Sequence, residues 1–269
     1  LHDALPIYLS QDGTFNPRDI FGSHDDSDHV YNTPRAWYMA RCLNPSTMNW
    51  DGPDADFTPL SDDIPWCMVP EKKVTIEDVK YVLSSHFQGT PYDPYASYGD
   101  KSMKGAYRAI GVNRTDFLGI IQMRPDAGED SRAIEWVAFA SNVFNTAAPF
   151  YTDVEKVPEY FSNTTGDAST DNFYWASRMI AAMADASYSK SIFHIERYQE
   201  RVMSKGHEYI NQYDELLEKE SNAEKRMQLR QEANEKIADM VKKETQDTLN
   251  KVLYELSNQM KNAYSRSDA

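Results

Sequence analysis

Two cysteines, Cys42 and Cys67, are the strongest nucleophiles in this chain. A thiolate attacks an amide carbon once a base has taken its proton. Cys42 sits in Arg41-Cys42-Leu43-Asn44-Pro45, near the end of a predicted helix. Cys67 sits in an internal loop, Pro65-Trp66-Cys67-Met68-Val69-Pro70. They have no CxxC spacing, so neither a zinc site nor a redox motif is indicated, and two cysteines in 269 residues are no disulfide framework. Both are expected to be buried small hydrophobes, the usual behaviour of free cysteine.

Other polar groups suggest binding more than bond making. His86 and Asp93 could form a proton relay, but no GxSxG elbow accompanies them. A histidine at a helix C-terminus is favourable for electrostatic reasons alone. The run His24-Asp25-Asp26-Ser27-Asp28-His29 offers hard oxygens and imidazoles without HExxH or EF-hand spacing, and reads as a polar loop. Asn113 and Arg114 lie just before a predicted strand. Arginine pairs with a carboxylate in bidentate fashion, and a strand-end salt bridge would use it equally well. Asn142 and Asn145 follow another predicted strand, where an amide could donate to an oxyanion or simply shape a turn. Asn113-Arg114-Thr115 and Asn163-Thr164-Thr165 match the glycosylation sequon, a pattern too short to weigh much.

The elements that must position these groups fall into two regimes. Residues 8 to about 165 are rich in Pro, Gly, Tyr and Trp and read as strands, short helices and long ordered loops. Thr75 caps a helix whose third position is Asp78 and whose apolar face is Val79, Val82 and Leu83. A loop from Gly89 to Met103 follows. Phe117–Met123 and Ala133–Ala140 read as a β-hairpin, and their near-continuous apolarity predicts burial on both faces. Residues 170 to 264 hold no proline and a single glycine, Gly206, and read as helix throughout. Asp171 is a cap for a helix to about Ala186; Ser189 or Ser191 starts a second, interrupted at Ser221-Asn222; a third carries Ile237, Val241, Leu249 and Val252 on one face. The last two are expected to form a helical hairpin on the same domain, because isolated helices rarely persist in water.

Composition narrows the partners. With 42 acidic and 28 basic residues the net charge is −14, which disfavours nucleic acid and anionic membrane surfaces. No run of about 18 apolar residues is present, so no transmembrane helix is expected. Leu1–Ile7 (LHDALPI) reads as translated adapter sequence and is expected to be a non-native start. The chain is therefore expected to lack its native N-terminus. Its compartment, bacterial cytoplasm or exported, and its oligomeric state, including a homo-oligomer, stay open.

Four segments in order resemble one known family. They are Asp19-Ile20-Phe21-Gly22-Ser23 with Tyr31-Asn32-Thr33-Pro34-Arg35-Ala36-Trp37-Tyr38; Lys73–Asp78 leading to Ser85-His86-Phe87-Gln88-Gly89-Thr90-Pro91-Tyr92-Asp93; Ile110-Gly111-Val112-Asn113-Arg114 with Gln122-Met123-Arg124; and Trp136–Phe139 through Asn142-Val143-Phe144-Asn145 to Pro149-Phe150-Tyr151-Thr152. Together they are similar to the bacterial cysteine-type dipeptidases of the N-terminal-nucleophile (Ntn) hydrolase superfamily, over about residues 15 to 260.

The resemblance implies an α+β fold, part of an αββα sandwich with a long C-terminal helical hairpin. It implies residues 8–165 as the C-terminal part of the sandwich domain and 166–269 as a helical region packed on it. It implies dipeptide substrates, no metal and no cofactor. The nucleophile would be a cysteine at the mature N-terminus, whose α-amine, with a pKa of about 8, takes the thiol proton. Neither Cys42 nor Cys67 carries a free α-amine, so that cysteine is expected upstream. Asn113, Arg114, Asn142 and Asn145 are then the substrate-binding candidates. Two rival readings remain: an Ntn relative acting on other linear amides or in secretion, and a non-catalytic interaction protein.

Overall fold

The computed structural model describes residues 25–65 and 67–262. The segment Asp19–Ser23, the residue His24 and the start Leu1–Ile7 lie outside the described residues. The chain divides into two compact units, one formed by Leu1–Lys73 with Gly105–Ala109, the other by Val74–Lys104 with Ile110–Ala269.

The first unit holds α1 (Asp28–Tyr31) and α2 (Thr33–Leu43). Pro34 sits in the first turn of α2, where its missing N–H costs nothing. Trp37, Tyr38, Trp50 and Ile64 are buried. The indole of Trp37 donates to Phe57 O at 3.1 Å and that of Trp50 to Asn44 O at 2.8 Å, so each large ring is tied to backbone as well as packed. The run from Asp25 makes a turn and α1, and His29 Nε2 meets Asp62 Oδ1 at 3.0 Å. No group of three or more histidine, cysteine, aspartate or glutamate side chains placed to hold a metal occurs among the described residues.

The second unit is α+β. α3 (Ile76–Leu83) starts at a complete capping box: the Thr75 hydroxyl accepts from Asp78 N, and the Asp78 carboxylate accepts from Thr75 N. Three antiparallel strands follow, β1 (Phe117–Met123), β2 (Ala133–Phe139) and β3 (Ala148–Tyr151), in the order β1-β2-β3. Register pairs Ile120 with Trp136 and Trp136 with Pro149. The strand β3 has no sequence signature: it is four residues long, buried throughout, and contains a proline. Proline is tolerated because β3 lies at a sheet edge.

After α4 (Glu159–Ser162), three helices complete the unit: α5 (Phe173–Ala186), α6 (Tyr188–Lys219) and α7 (Ala223–Ser257). Asn172, not Asp171, caps α5, accepting from Trp175 N at 2.9 Å. The helix α6 starts at Tyr188, ahead of both predicted serines, and Asn222 caps α7 where the break was expected. Tyr198 meets Thr245, Arg201 meets Glu244 and Tyr213 meets Glu232, so α6 and α7 run antiparallel.

The helical pair shares one core with the sheet. Ile134, Trp136 and Tyr151 pack with Val202, Ile210, Ile237 and Val241. Gly206 is the contact point: a Cβ there would lie 2.6 Å from Pro149 Cδ. Asn234 on α7 completes the edge strand, taking Tyr151 N at 2.9 Å and giving to Tyr151 O at 3.0 Å. The expectation of two-faced burial holds only in part. Ile134, Trp136 and Ala138 face the helices, whereas Phe117, Ile121 and Met123 on the other face are 55%, 69% and 62% exposed. The helices α6 and α7 cover one face; on the other, Phe139 and Phe150 pack against Phe161 of α4 and Phe173 of α5, and Ile121 and Met123 stay exposed.

Candidate functional site

The loop leaving β2 is the most constrained polar segment of the second unit. Ala140 has φ = 65°, the left-handed region that non-glycine residues rarely adopt. There the chain turns, and Ser141 O accepts from both Phe144 N and Asn145 N at 3.1 Å. Every residue from Ala140 to Ala147 is buried. Burial of so much backbone demands partners for its carbonyls.

Side chains supply them. Asn145 Nδ2 donates to Phe139 O at 2.6 Å and Ala140 O at 3.1 Å, and lies 3.3 Å from Asn142 Oδ1. Lys80 Nζ on α3 donates to Asn142 O at 2.7 Å. Gln199 Nε2 on α6 donates to Val143 O at 3.1 Å and Asn145 O at 2.8 Å. Asn142 Nδ2 keeps one long contact, to Leu83 O at 3.4 Å. Asn145 Oδ1 and Thr146 Oγ1 are buried without a hydrogen-bond partner.

A cleft of about 700 Å³ opens beside this loop, lined by Lys80, Ser84, His86, Val143, Gln199 and others from α3 and α6. Lys80 is 4% exposed and its ammonium touches Ser84 Oγ as well as the loop, both at 2.7 Å. Burial away from water pushes its pKa down to about 7. His86 is buried too. Its Nδ1 lies 2.9 Å from Asp93 Oδ1 and its Nε2 3.2 Å from the Tyr188 hydroxyl. Tyr188 stacks on Tyr95 at 3.9 Å between centroids. The His86–Asp93 pair visible in the sequence is thus a real contact. Burial, with Asp93 and Glu196 nearby, raises the pKa of the Tyr188 phenol, which keeps it protonated and a poor nucleophile.

A second, smaller cleft of about 190 Å³ is bounded by Tyr95, Gly111, Asn113, Ser141, Phe144 and Asp185 among others. Gly111 is required here: a Cβ would sit 2.5 Å from Ser84 O. Asn113 is exposed at the mouth, with its carbonyl accepting from Arg178 Nη1 at 3.2 Å. Arg114 is exposed. The structure therefore brings Asn142 and Asn145 together and sets Asn113 in a cleft that also contains their loop residues Ser141 and Phe144. Lys80 and Gln199 were not foreseen. A lysine at a helix position reads as a solvated charge, and nothing in its neighbours marks it as buried.

Burial raises the Cys42 thiol above its usual pKa. Cys42 is half-buried and Cys67 exposed, so neither is the buried hydrophobe expected.

The family model for peptidase family C69 matches residues 3–201. The chain belongs to peptidase family C69. It is 45% identical to a "Dipeptidase" of Bifidobacterium longum, over 98% of this chain and 56% of that protein. It is 45% identical to a "Probable dipeptidase A" of Streptococcus pyogenes serotype M18, over 94% of this chain and 51% of the relative. A "Probable dipeptidase B" of Lactococcus lactis is 33% identical over 98% of this chain and 53% of its own length. The chain spans about half the length of these C69 relatives. The C69 match covers the loop, the smaller cleft, most of the larger one and the first turns of α6, while α7 lies beyond it.

Proposed function

We propose that the intact protein is a cysteine-type dipeptidase and that this chain forms the substrate side of its active site. The observation that carries this is the 45% identity to a protein named a dipeptidase along nearly the entire chain. The nucleophile is an N-terminal cysteine upstream of these residues. Its thiol attacks the peptide carbonyl, the free α-amine takes the thiol proton and delivers it to the leaving amine, and a thioester forms. Water then releases the acyl group by the reverse proton traffic.

Asn113 and Arg114 meet the substrate's charged end, Asn142 Nδ2 donates to the oxyanion, and Asn145 Oδ1 accepts from the substrate's amide N–H. The free Asn145 Oδ1 supports an acceptor role, since its nitrogen is committed to the backbone. The fold is one half of an αββα sandwich. The exposed part of the sheet face, with Phe117, Ile121 and Met123, supports this, because exposed apolar side chains on a sheet face call for a second layer. The C69 match and the relatives' names support dipeptides as the substrates.

The test is a turnover assay on the full-length protein with free and N-acetylated dipeptides, before and after replacing its first cysteine by alanine. Release of free amino acids that disappears in the variant is the expected result. Hydrolysis that survives the replacement contradicts the proposal.

A further inference from the structure

We propose that Lys80 is a positioning residue that holds the 140–146 loop in its working shape, with Gln199 as the second clamp. The proposal rests on the reading above only in taking this loop as substrate-facing. Three backbone carbonyls of one buried loop, those of Asn142, Val143 and Asn145, are each taken by a side chain from a neighbouring helix. Both donors line the same 700 Å³ cleft. The loop's own bonds cannot replace them, because Asn145 Nδ2 is used on Phe139 O and Ala140 O.

The lysine end of the clamp is unusual. Lys80 is 4% exposed, and the acceptors of its Nζ are one hydroxyl and one carbonyl, both neutral. Ser84 Oγ is fixed in turn, donating to Lys80 O at 2.6 Å. The titratable groups facing the cleft with it are Glu77, Asp78 and Tyr81 on α3, His86 after α3, and Tyr188, Glu196, Glu200 and His207 on α6. Glu77 is engaged by His207 at 2.8 Å and Asp78 by the helix cap. A charge-assisted bond from the ammonium is roughly twice as strong as one from a neutral amine. The clamp on Asn142 O is therefore tighter when Lys80 is protonated, and the loop senses that protonation near neutral pH, where burial places it.

The experiment uses this 269-residue chain, wild type and Lys80→Met, and two measurements. Hydrogen exchange at the amides of Phe144 and Asn145, which close the loop on Ser141 O, is expected to accelerate about tenfold or more in K80M. In the wild type, followed by NMR from pH 6 to 9, the Val143 amide next to the clamped carbonyl is expected to shift with the same midpoint as Lys80 Nζ. A purely structural lysine produces no such titration, so this arm holds even if K80M folds poorly. Unchanged exchange in a folded K80M, or a Val143 signal that does not follow Lys80, overturns the clamp. Dipeptide turnover by the full-length protein bears on the proposed function instead: loss of protection without turnover leaves the clamp standing and sinks the dipeptidase reading.

Discussion

Lys80 gives the chain a pH dependence whose sign can be stated. Its folded pKa lies near 7 and its ordinary value is 10.5. Between these the unfolded state binds more protons, so stability rises with pH across the window. Above about pH 10 the slope reverses, because buried tyrosines such as Tyr151 and Tyr198 have raised pKa values and hold protons that the unfolded chain releases. Urea unfolding of wild type and K80M at pH 7, 8 and 9 isolates the lysine. The difference in stability between them is expected to move in favour of the wild type by up to about 1.4 kcal/mol per pH unit. Parallel curves would contradict the buried ammonium. Residue by residue, the sequence made Asn142, Asn145 and the His86–Asp93 pair visible, since their types advertise hydrogen bonding. It left Lys80, Gln199 and Asn234 hidden, because a long polar side chain on a helix looks solvated until the tertiary fold closes over it.

Elements were legible where a local rule decides them. Thr75 and Asp78 form the capping box their spacing announces, and the β1–β2 hairpin and the break at Asn222 follow turn and cap chemistry. The strand β3 was not legible, since four buried residues with a proline carry neither alternation nor propensity. Its edge depends on Asn234, and Asn234→Ala leaves Tyr151 N–H and C=O buried without these partners. A loss of about 1–3 kcal/mol in urea unfolding is expected. The lone glycine of the helical region explains itself by the same packing. Gly206→Ala places a methyl against Pro149 and is expected to cost about 1–3 kcal/mol, even though alanine favours helix. A G206A protein as stable as wild type would mean that α6 does not press on β3 this closely.

At the scale of the molecule, α6, α7 and the sheet contribute side chains to one core. The hairpin is apolar on both faces, yet burial is complete on one only; on the other it reaches Phe139 and Phe150 and leaves Ile121 and Met123 exposed. The partly uncovered face, the half-length match to the relatives and the two ill-suited cysteines all fit the proposed split site. The measurement that bears most directly on it is dipeptide turnover by the isolated 269-residue chain beside the full-length protein at equal concentration. The account predicts release of free amino acids by the full-length protein and none above background by the isolated chain. Turnover by the isolated chain would contradict it, because the nucleophile would then have to lie within these residues.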